Sequence, residues 1–283
     1  MGERLGIGIN AYSNVLPVTY FFREQRLESK VSFVEAVPAE LNRLLAEGSI
    51  DLGPVSAFTY AEHAGKYETL NGLSVSAKGP VGSIFLFSKR PLARLDGARI
   101  ALTNTSATSI NLLKIILEKF EGFQPTYEMM SPRISTMLEQ ADAALLIGDH
   151  AIHAKWNEPA PYIYDLGQLW YNHTGMWMTF ALWCVRKNAI ETKRSALQEV
   201  HAEFLRAKQQ GTEQIGEIID FVLRKHGGTE RFWRQYFLGL GHDFGLEQKQ
   251  GLEYYFQCAQ ELGLISHATE VEVWGQAPKV KLT

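Results

Sequence analysis

The sequence predicts an α/β fold in which two lobes face each other across a cleft and a helical C-terminal tail follows. Three observations carry this. The stretch from Ala141 to Asp149 is apolar and uncharged between Asp142 and Asp149, the mark of a short buried strand. It ends in Gly148-Asp149, a tight turn that leaves a carboxylate at the strand's carboxyl end. Ligands of open α/β sheets bind at that edge. A comparable unit stands earlier, where Gly48-Ser-Ile-Asp-Leu-Gly-Pro-Val-Ser56 runs from a helix end into a strand and then a serine. From Glu191 onward helical periodicity dominates, over Ser195–Gln209, Glu213–Lys225, Glu230–Leu240 and Glu247–Leu262.

The elements follow in order. Leu5-Gly-Ile-Gly-Ile9 is a strand ending at Asn10-Ala-Tyr-Ser-Asn14, and Pro17 suits the first turn of the next helix because its missing N–H costs nothing there. Val31–Ala36 is a second strand. Pro38 opens a helix with apolar residues at Leu41, Leu44 and Leu45, and Gly48 is its C′ residue. A strand around Ile50-Asp-Leu52 leads to Ser56, which begins another helix. Ser83-Ile-Phe-Leu-Phe-Ser88 and Thr179-Phe-Ala-Leu-Trp-Cys-Val185 are long apolar runs that read as crossings between lobes. Between them lie the strand Arg99–Thr103, a helix over Ile110–Phe120 with a broad apolar face, and a helix opened by Pro132. The resulting division is a first lobe over 1–86, an inserted second lobe over 87–182, and a segment 183–283 that completes the first lobe and adds the tail. Two crossings make a hinge, and hinged lobes close on ligands.

Composition narrows the function. The 283 residues are 46% hydrophobic and 21% charged, enough for two lobes with a buried core. The 28 basic and 31 acidic residues give a net charge of −3 with no Lys/Arg block, which argues against a nucleic-acid surface. No stretch approaches the ~18 apolar residues that span a bilayer. The opening has no basic region leading into an apolar run and a small-residue cleavage site, so a cytoplasmic protein is expected. Cys184 and Cys258, in apolar and aromatic company, read as reduced core thiols. His150 and His153 lack the i, i+4 spacing of paired helical ligands and have no third ligand nearby, so no metal site is expected. There is no Gly-rich phosphate loop and no G-x-S-x-G signature, and no cofactor is expected.

The residues that could carry chemistry sit at strand ends. Asn104-Thr-Ser-Ala-Thr-Ser109 is a strand-to-helix junction rich in hydroxyls. Free N–H groups and the helix dipole make such a junction an anion site, with Ser106, Thr108 and Ser109 as further donors. One N-cap needs one hydroxyl, and this segment has four, so a carboxylate is the expected ligand. Tyr12-Ser13-Asn14 lies at the carboxyl end of the first strand, where Asn14 offers both a donor and an acceptor. Ser56 and Ser83 hold similar positions, each also readable as an ordinary cap or turn residue. Asp149 reads equally as a helix cap, as an orienting group or as an acid/base. The aromatic run from Trp170 and Tyr171 to Trp177 reads as cleft wall or as core. These residues alone describe a two-lobed protein that clamps a small anion.

A family resemblance adds to this. The ordered series Ile9-Asn10 through Asn14-Val-Leu-Pro17, Val37-Pro-Ala-Glu-Leu-Asn42, Gly48–Ser56, Gly79-Pro-Val-Gly-Ser83, Ser106-Ala-Thr-Ser109, Asp142–Asp149, Asp165-Leu-Gly-Gln-Leu-Trp170 and Thr174-Gly175 resembles the menaquinone biosynthetic enzymes of the futalosine route, and among them the chorismate dehydratase family. It covers roughly residues 5 to 186. The resemblance implies a type 2 periplasmic-binding-protein fold and loss of water from chorismate, a dicarboxylate, to give 3-[(1-carboxyvinyl)oxy]benzoate. A sister enzyme makes 1,4-dihydroxy-6-naphthoate; its early Cys-Pro-Asn-Asp type motif is absent here, where Tyr12-Ser-Asn14 stands instead. A solute-binding protein without catalysis is the other alternative. One departure from the pattern is Met176-Trp177, where a Leu-Pro-like pair is expected, and it is expected to reshape one cleft wall. The catalytic roles fall to Asn14 and Asp149, and substrate binding to Tyr12, Ser13, Ser56, Ser83, Ser106, Thr108 and Ser109.

Overall fold

The computed structural model describes residues 4–27, 30–157 and 160–275. Along the chain come β1 (Leu5–Ile9), α1 (Leu16–Thr19), β2 (Val31–Glu35), α2 (Pro38–Glu47), β3 (Leu52–Ser56), α3 (Ala57–Glu62) and β4 (Tyr67–Ala77). The next group is β5 (Ile84–Ser88), β6 (Arg99–Thr103), α4 (Ala107–Lys114), β7 (Thr126–Met130), α5 (Ile134–Gln140), β8 (Ala143–Ile147), α6 (Gly148–Asn157), β9 (Tyr162–Asp165) and α7 (Leu166–Thr174). The chain then forms β10 (Met178–Arg186), α8 (Lys187–Thr192), α9 (Arg194–Glu213), α10 (Ile215–His226), α11 (Glu230–Gly239), α12 (Leu246–Glu261) and β11 (Val273–Trp274).

The strands form two sheets. The first has the order β11-β4-β10-β3-β1-β2, with β1 parallel to β2 and β3, and β10 antiparallel to β3 and β4. The second has the order β7-β6-β8-β5-β9, with β6 parallel to β7 and β8, and β5 antiparallel to β8 and β9. The α/β class, the two lobes and the helical C-terminal region are therefore present as the sequence predicts. Every residue of β3, β5 and β8 is buried, as the near-continuous apolar character of central strands requires. Gly48 caps α2 with its N–H on the Leu44 and Leu45 carbonyls. Both cysteines are buried.

Four details differ from the sequence reading. The Ser83–Ser88 run does not cross between lobes: its residues form β5 inside the second sheet, because a strand buried on both faces needs partners on both edges. The chain leaves the first sheet after Ala77 and enters the second at Ile84. Likewise Thr179–Val185 lies within β10, in the first sheet, and the return crossing precedes it. The strand expected around Ile50 begins only at Leu52. The helix expected over Ile110–Phe120 starts at Ala107 and ends as a π-helical segment, Ile115–Phe120.

The tail does more than complete the first lobe. Tyr255 of α12 donates its hydroxyl to the Thr108 carbonyl in the second lobe (3.1 Å), and Trp233 of α11 packs edge-on against Trp156 of α6. The last helices are thus wedged against both lobes. Of the aromatic run only Trp170 is core: it is fully buried and its indole N–H donates to the carbonyl of half-buried Trp177 (3.2 Å), whereas Tyr171 is exposed. Among the described residues no helix is long and apolar enough to cross a membrane.

Candidate active site

The carboxyl ends of β1, β3 and β8, the crossover before β5 and the start of α4 converge on one cavity of about 60 Å³ between the lobes. Tyr12, Asn14, Ser56, Ser83, Ser106 and Ser109 all line it. So do Asn10, Pro54 and Phe180, which the sequence reading did not single out. A wider open groove of about 870 Å³ lies at the amino ends of β1–β3. Two of its cations are already paired: Lys193 holds Asp51, on the same groove, at 2.8 Å, and Arg186 donates to the Leu45 carbonyl at 2.8 Å. The interlobe cavity is the candidate site because it stands at the strands' carboxyl edge and gathers polar groups from both lobes.

Asn14 sits in a short 3-10 turn, Ser13–Val15, at the mouth of β1. Its side-chain oxygen is buried and makes no hydrogen bond among the described residues, while its backbone carbonyl accepts from Nε2 of His242 (2.8 Å). Desolvation of the half-buried His242 ring pushes its pKa down to about 4 and keeps the ring neutral, so Nε2 carries the proton it donates. Asn10 accepts from the Tyr12 N–H (3.1 Å) and so shapes the turn that presents Tyr12 and Asn14. The Tyr12 ring lies over Gly148, where a Cβ would come within 3.3 Å of it and φ is +62°, so glycine suits that corner on both counts. Burial, and then the charge of Asp149, push the Tyr12 phenol up.

The hydroxyl-bearing junctions are built differently. Ser56 caps α3 through the Thr59 N–H (3.4 Å) and donates to the Thr59 hydroxyl (3.0 Å). Asn42 locks that turn, accepting from the Ser56 N–H at 3.2 Å. Ser106 caps α4 through the Ser109 N–H (3.3 Å) and donates to the Ser109 hydroxyl (3.0 Å), which leaves the Ser109 proton for the cavity.

Three residues expected at the ligand stand behind it instead. Thr108 is buried, and its hydroxyl accepts from the Phe58 N–H (2.9 Å), which ties α4 to α3 across the cleft. Ser13 is buried, its hydroxyl has no partner among the described residues, and its N–H faces both Asp149 oxygens at 3.4 Å. Asp149 does not line the cavity; its carboxylate joins Ser13 of the first lobe to His226 of α10, 3.7 Å away. Met176 and Trp177 are also absent from the cavity wall; the Trp177 indole donates to Glu247 (2.8 Å) on α12. No cluster of three or more His, Cys, Asp or Glu side chains suited to a metal ion occurs among the described residues.

Sequence reasoning missed the tail's contribution. His242 meets Asn14, His226 meets Asp149, and the Tyr236 ring packs against Gly82. Asn10 carried a local signal, since it shares the strand end with Tyr12 and Asn14. The tail residues carried none.

The comparisons agree with this architecture. The chain is 31% identical over 275 residues to chorismate dehydratase of Thermus thermophilus, covering 91% of this chain and 95% of that protein. It is 24% identical to 1,4-dihydroxy-6-naphtoate synthase of the same organism, over 93% and 96% of the two chains. In structure it is similar to the alkanesulfonate-binding protein SsuA of Xanthomonas axonopodis pv. citri, with a TM-score of 0.74 at 19% identity over 97% and 99% of the chains, which shows the periplasmic-binding-protein fold. A family model described as menaquinone biosynthesis matches residues 5–261, and the chain belongs to that family.

Proposed function

We propose that this protein is a lyase that removes water from chorismate, giving 3-[(1-carboxyvinyl)oxy]benzoate. The observation that carries the reading is the convergence of Asn14 with Ser106 and Ser109 on one interlobe cavity, in a chain 31% identical to a chorismate dehydratase along nearly its whole length. Chorismate carries two carboxylates, so its site needs anion donors. The start of α4 offers backbone N–H groups, the positive end of the helix dipole and the Ser109 hydroxyl to one of them. Ser83 and Asn14 face the remaining oxygens.

The elimination removes a proton from the ether-bearing ring carbon and breaks the neighbouring C–OH bond. The C–H electron pair becomes the new ring double bond, and the hydroxyl leaves as water once protonated. Aromatisation supplies much of the driving force, so the protein's task is to hold the substrate where this route outruns loss of pyruvate. The substrate's own enolpyruvyl carboxylate takes the proton, with the Asn14 amide holding it or the departing hydroxyl. Asn14 suits this because its amide donates and accepts without changing charge. The two lobes, one built on each sheet with the chain passing between them at 78–83 and 175–177, act as the closing bodies, in a cytoplasmic setting and without a cofactor. Incubation with chorismate followed by product identification tests the reading. The benzoate product supports it, recovery of unchanged chorismate rejects it, and formation of 1,4-dihydroxy-6-naphthoate from its own precursor would assign the sister activity.

A further inference from the structure

The turn that carries Asn14 is short of one donor by its own sequence. In the 3-10 turn Ser13–Val15 the Val15 N–H donates to the Tyr12 carbonyl (3.3 Å) and the Leu16 N–H to the Ser13 carbonyl. The next bond in that series would run from residue 17 to the Asn14 carbonyl. Residue 17 is a proline and has no N–H. The donor comes instead from the tail, 228 positions along the chain: Nε2 of His242 lies 2.8 Å from the Asn14 carbonyl oxygen. A carbonyl only accepts, so the proton on Nε2 lies between the two atoms.

His242 stands on a fixed mount. The segment 241–243, between α11 and α12, runs antiparallel along β4. Gly241 and Ser76 exchange both backbone hydrogen bonds at 2.8 Å, and the Ser74 N–H donates to the His242 carbonyl (3.1 Å). The Ser74 hydroxyl donates to the Asp243 carbonyl (2.6 Å). The residues before and after the histidine are therefore stitched to a strand of the first sheet, and the ring reaches out from that strand to the turn. Two more parts of the tail close on the same stretch. Lys225, near the end of α10, donates to the Ala11 carbonyl (3.3 Å). On α9, a Cβ at Gly211 would run into the Pro17 carbonyl, so that helix lies directly on the chain just past Asn14.

The side-chain oxygen of Asn14 makes no hydrogen bond among the described residues, so no partner at that end settles which way the amide points. Its direction is inherited from the backbone of the turn. We propose that His242 is a positioning residue for the elimination: by holding the Asn14 carbonyl it fixes the turn, and the Asn14 amide enters the cavity already aimed at the groups that react. His242 does not line the cavity, and its Nε2 proton is committed to the carbonyl, so it acts through Asn14 and not on the substrate. A hydrogen-bonding group favours the transition state most when it is placed in advance, and a misplacement of about 1 Å can cost roughly a hundredfold in rate.

This inference rests on the chorismate reading, and its test separates the two. Chorismate turnover and thermal midpoint are measured on the full-length parent, on His242→Leu, which keeps bulk and removes the donor, and on His242→Gln, whose amide N–H takes the place of the ring's Nε2–H. Each is assayed well below its own midpoint. His242→Leu is expected to lower kcat about tenfold to a hundredfold. KM should stay within about threefold, because the anion donors at the start of α4 are unchanged. His242→Gln is expected to bring kcat back to within about threefold of the parent. A residue that only props the fold would lower the midpoint and leave the kcat of the folded protein alone. Parental kcat in His242→Leu, a loss carried by KM alone, a folded His242→Gln as slow as His242→Leu, or a His242→Leu chain that does not fold would each overturn the proposal while the chorismate reading stands. A parent inert toward chorismate overturns both.

Discussion

The two strand-to-helix junctions that face each other across the cleft use the same device to different ends. In the first lobe, Ser56 ends β3, caps α3 and passes its proton to Thr59, and the Asn42 amide donates to the Thr59 hydroxyl and accepts from the Ser56 N–H. In the second lobe, Ser106 ends its turn in the same way and passes its proton to Ser109. Each relay leaves one hydroxyl proton over, but Ser109 lines the cavity and Thr59 does not. An N-cap serine at a cleft is therefore not evidence of binding; the place where its relay ends distinguishes the cases.

Asn14 lies where the two junctions meet, and its substitution should have the largest effect. Asn14→Asp keeps the size but sets a negative charge beside an anionic substrate, and two unit charges ~4 Å apart repel by roughly 4 kcal/mol at an effective dielectric of about 20. Turnover should nearly vanish with the circular-dichroism spectrum unchanged; a folded variant at parental rate would remove Asn14 from the chemistry.

Next is the support behind Asn14. The folded pKa of His242, about 4, lies below the ordinary value of 6.5, so the unfolded chain takes up a proton first as pH falls. Stability is level above about pH 6.5 and is progressively lost toward pH 4, by about 3 kcal/mol for a shift of this size. Denaturant melts across that window should show the loss, and His242→Gln should flatten it.

The comparison itself is broken most directly by paired alanines. Ser109→Ala should raise KM for chorismate about tenfold to a hundredfold, since hydrogen bonds to charged groups contribute ~1.5–3 kcal/mol, with little change in melting temperature. Ser56→Ala should do the reverse, costing about 1 kcal/mol of stability as a lost cap with a small change in KM. Equal effects on KM would erase the distinction drawn here. The smallest effect belongs to Trp177→Phe: the residue lies outside the cavity wall, so KM should move by less than about twofold, although the departure at Met176-Trp177 looked in the sequence like a change to the cleft.

What was legible in the sequence was local. The apolar strand before Asp149, the turn at Asn14, the hydroxyl-rich start of α4 and the four long tail helices are each written in neighbouring residues. β4 escaped because its pattern is masked: Thr69, Ser74 and Ser76 are buried polar residues, and the Ser76 hydroxyl is satisfied by Thr179 on β10 (2.9 Å). The roles of Thr108 and Asp149 depended on partners across the cleft that no local spacing reveals. The same holds for His242, 228 positions from the carbonyl it holds.

The bonds from Phe58 to Thr108 and from Ser13 to Asp149 join the lobes beside the cavity. A bond of this kind contributes on the order of 1 kcal/mol, so each one that breaks when the lobes part makes the open form about fivefold rarer. Contacts of this sort tie the pace of substrate entry and product release to residues that never touch the reacting bonds.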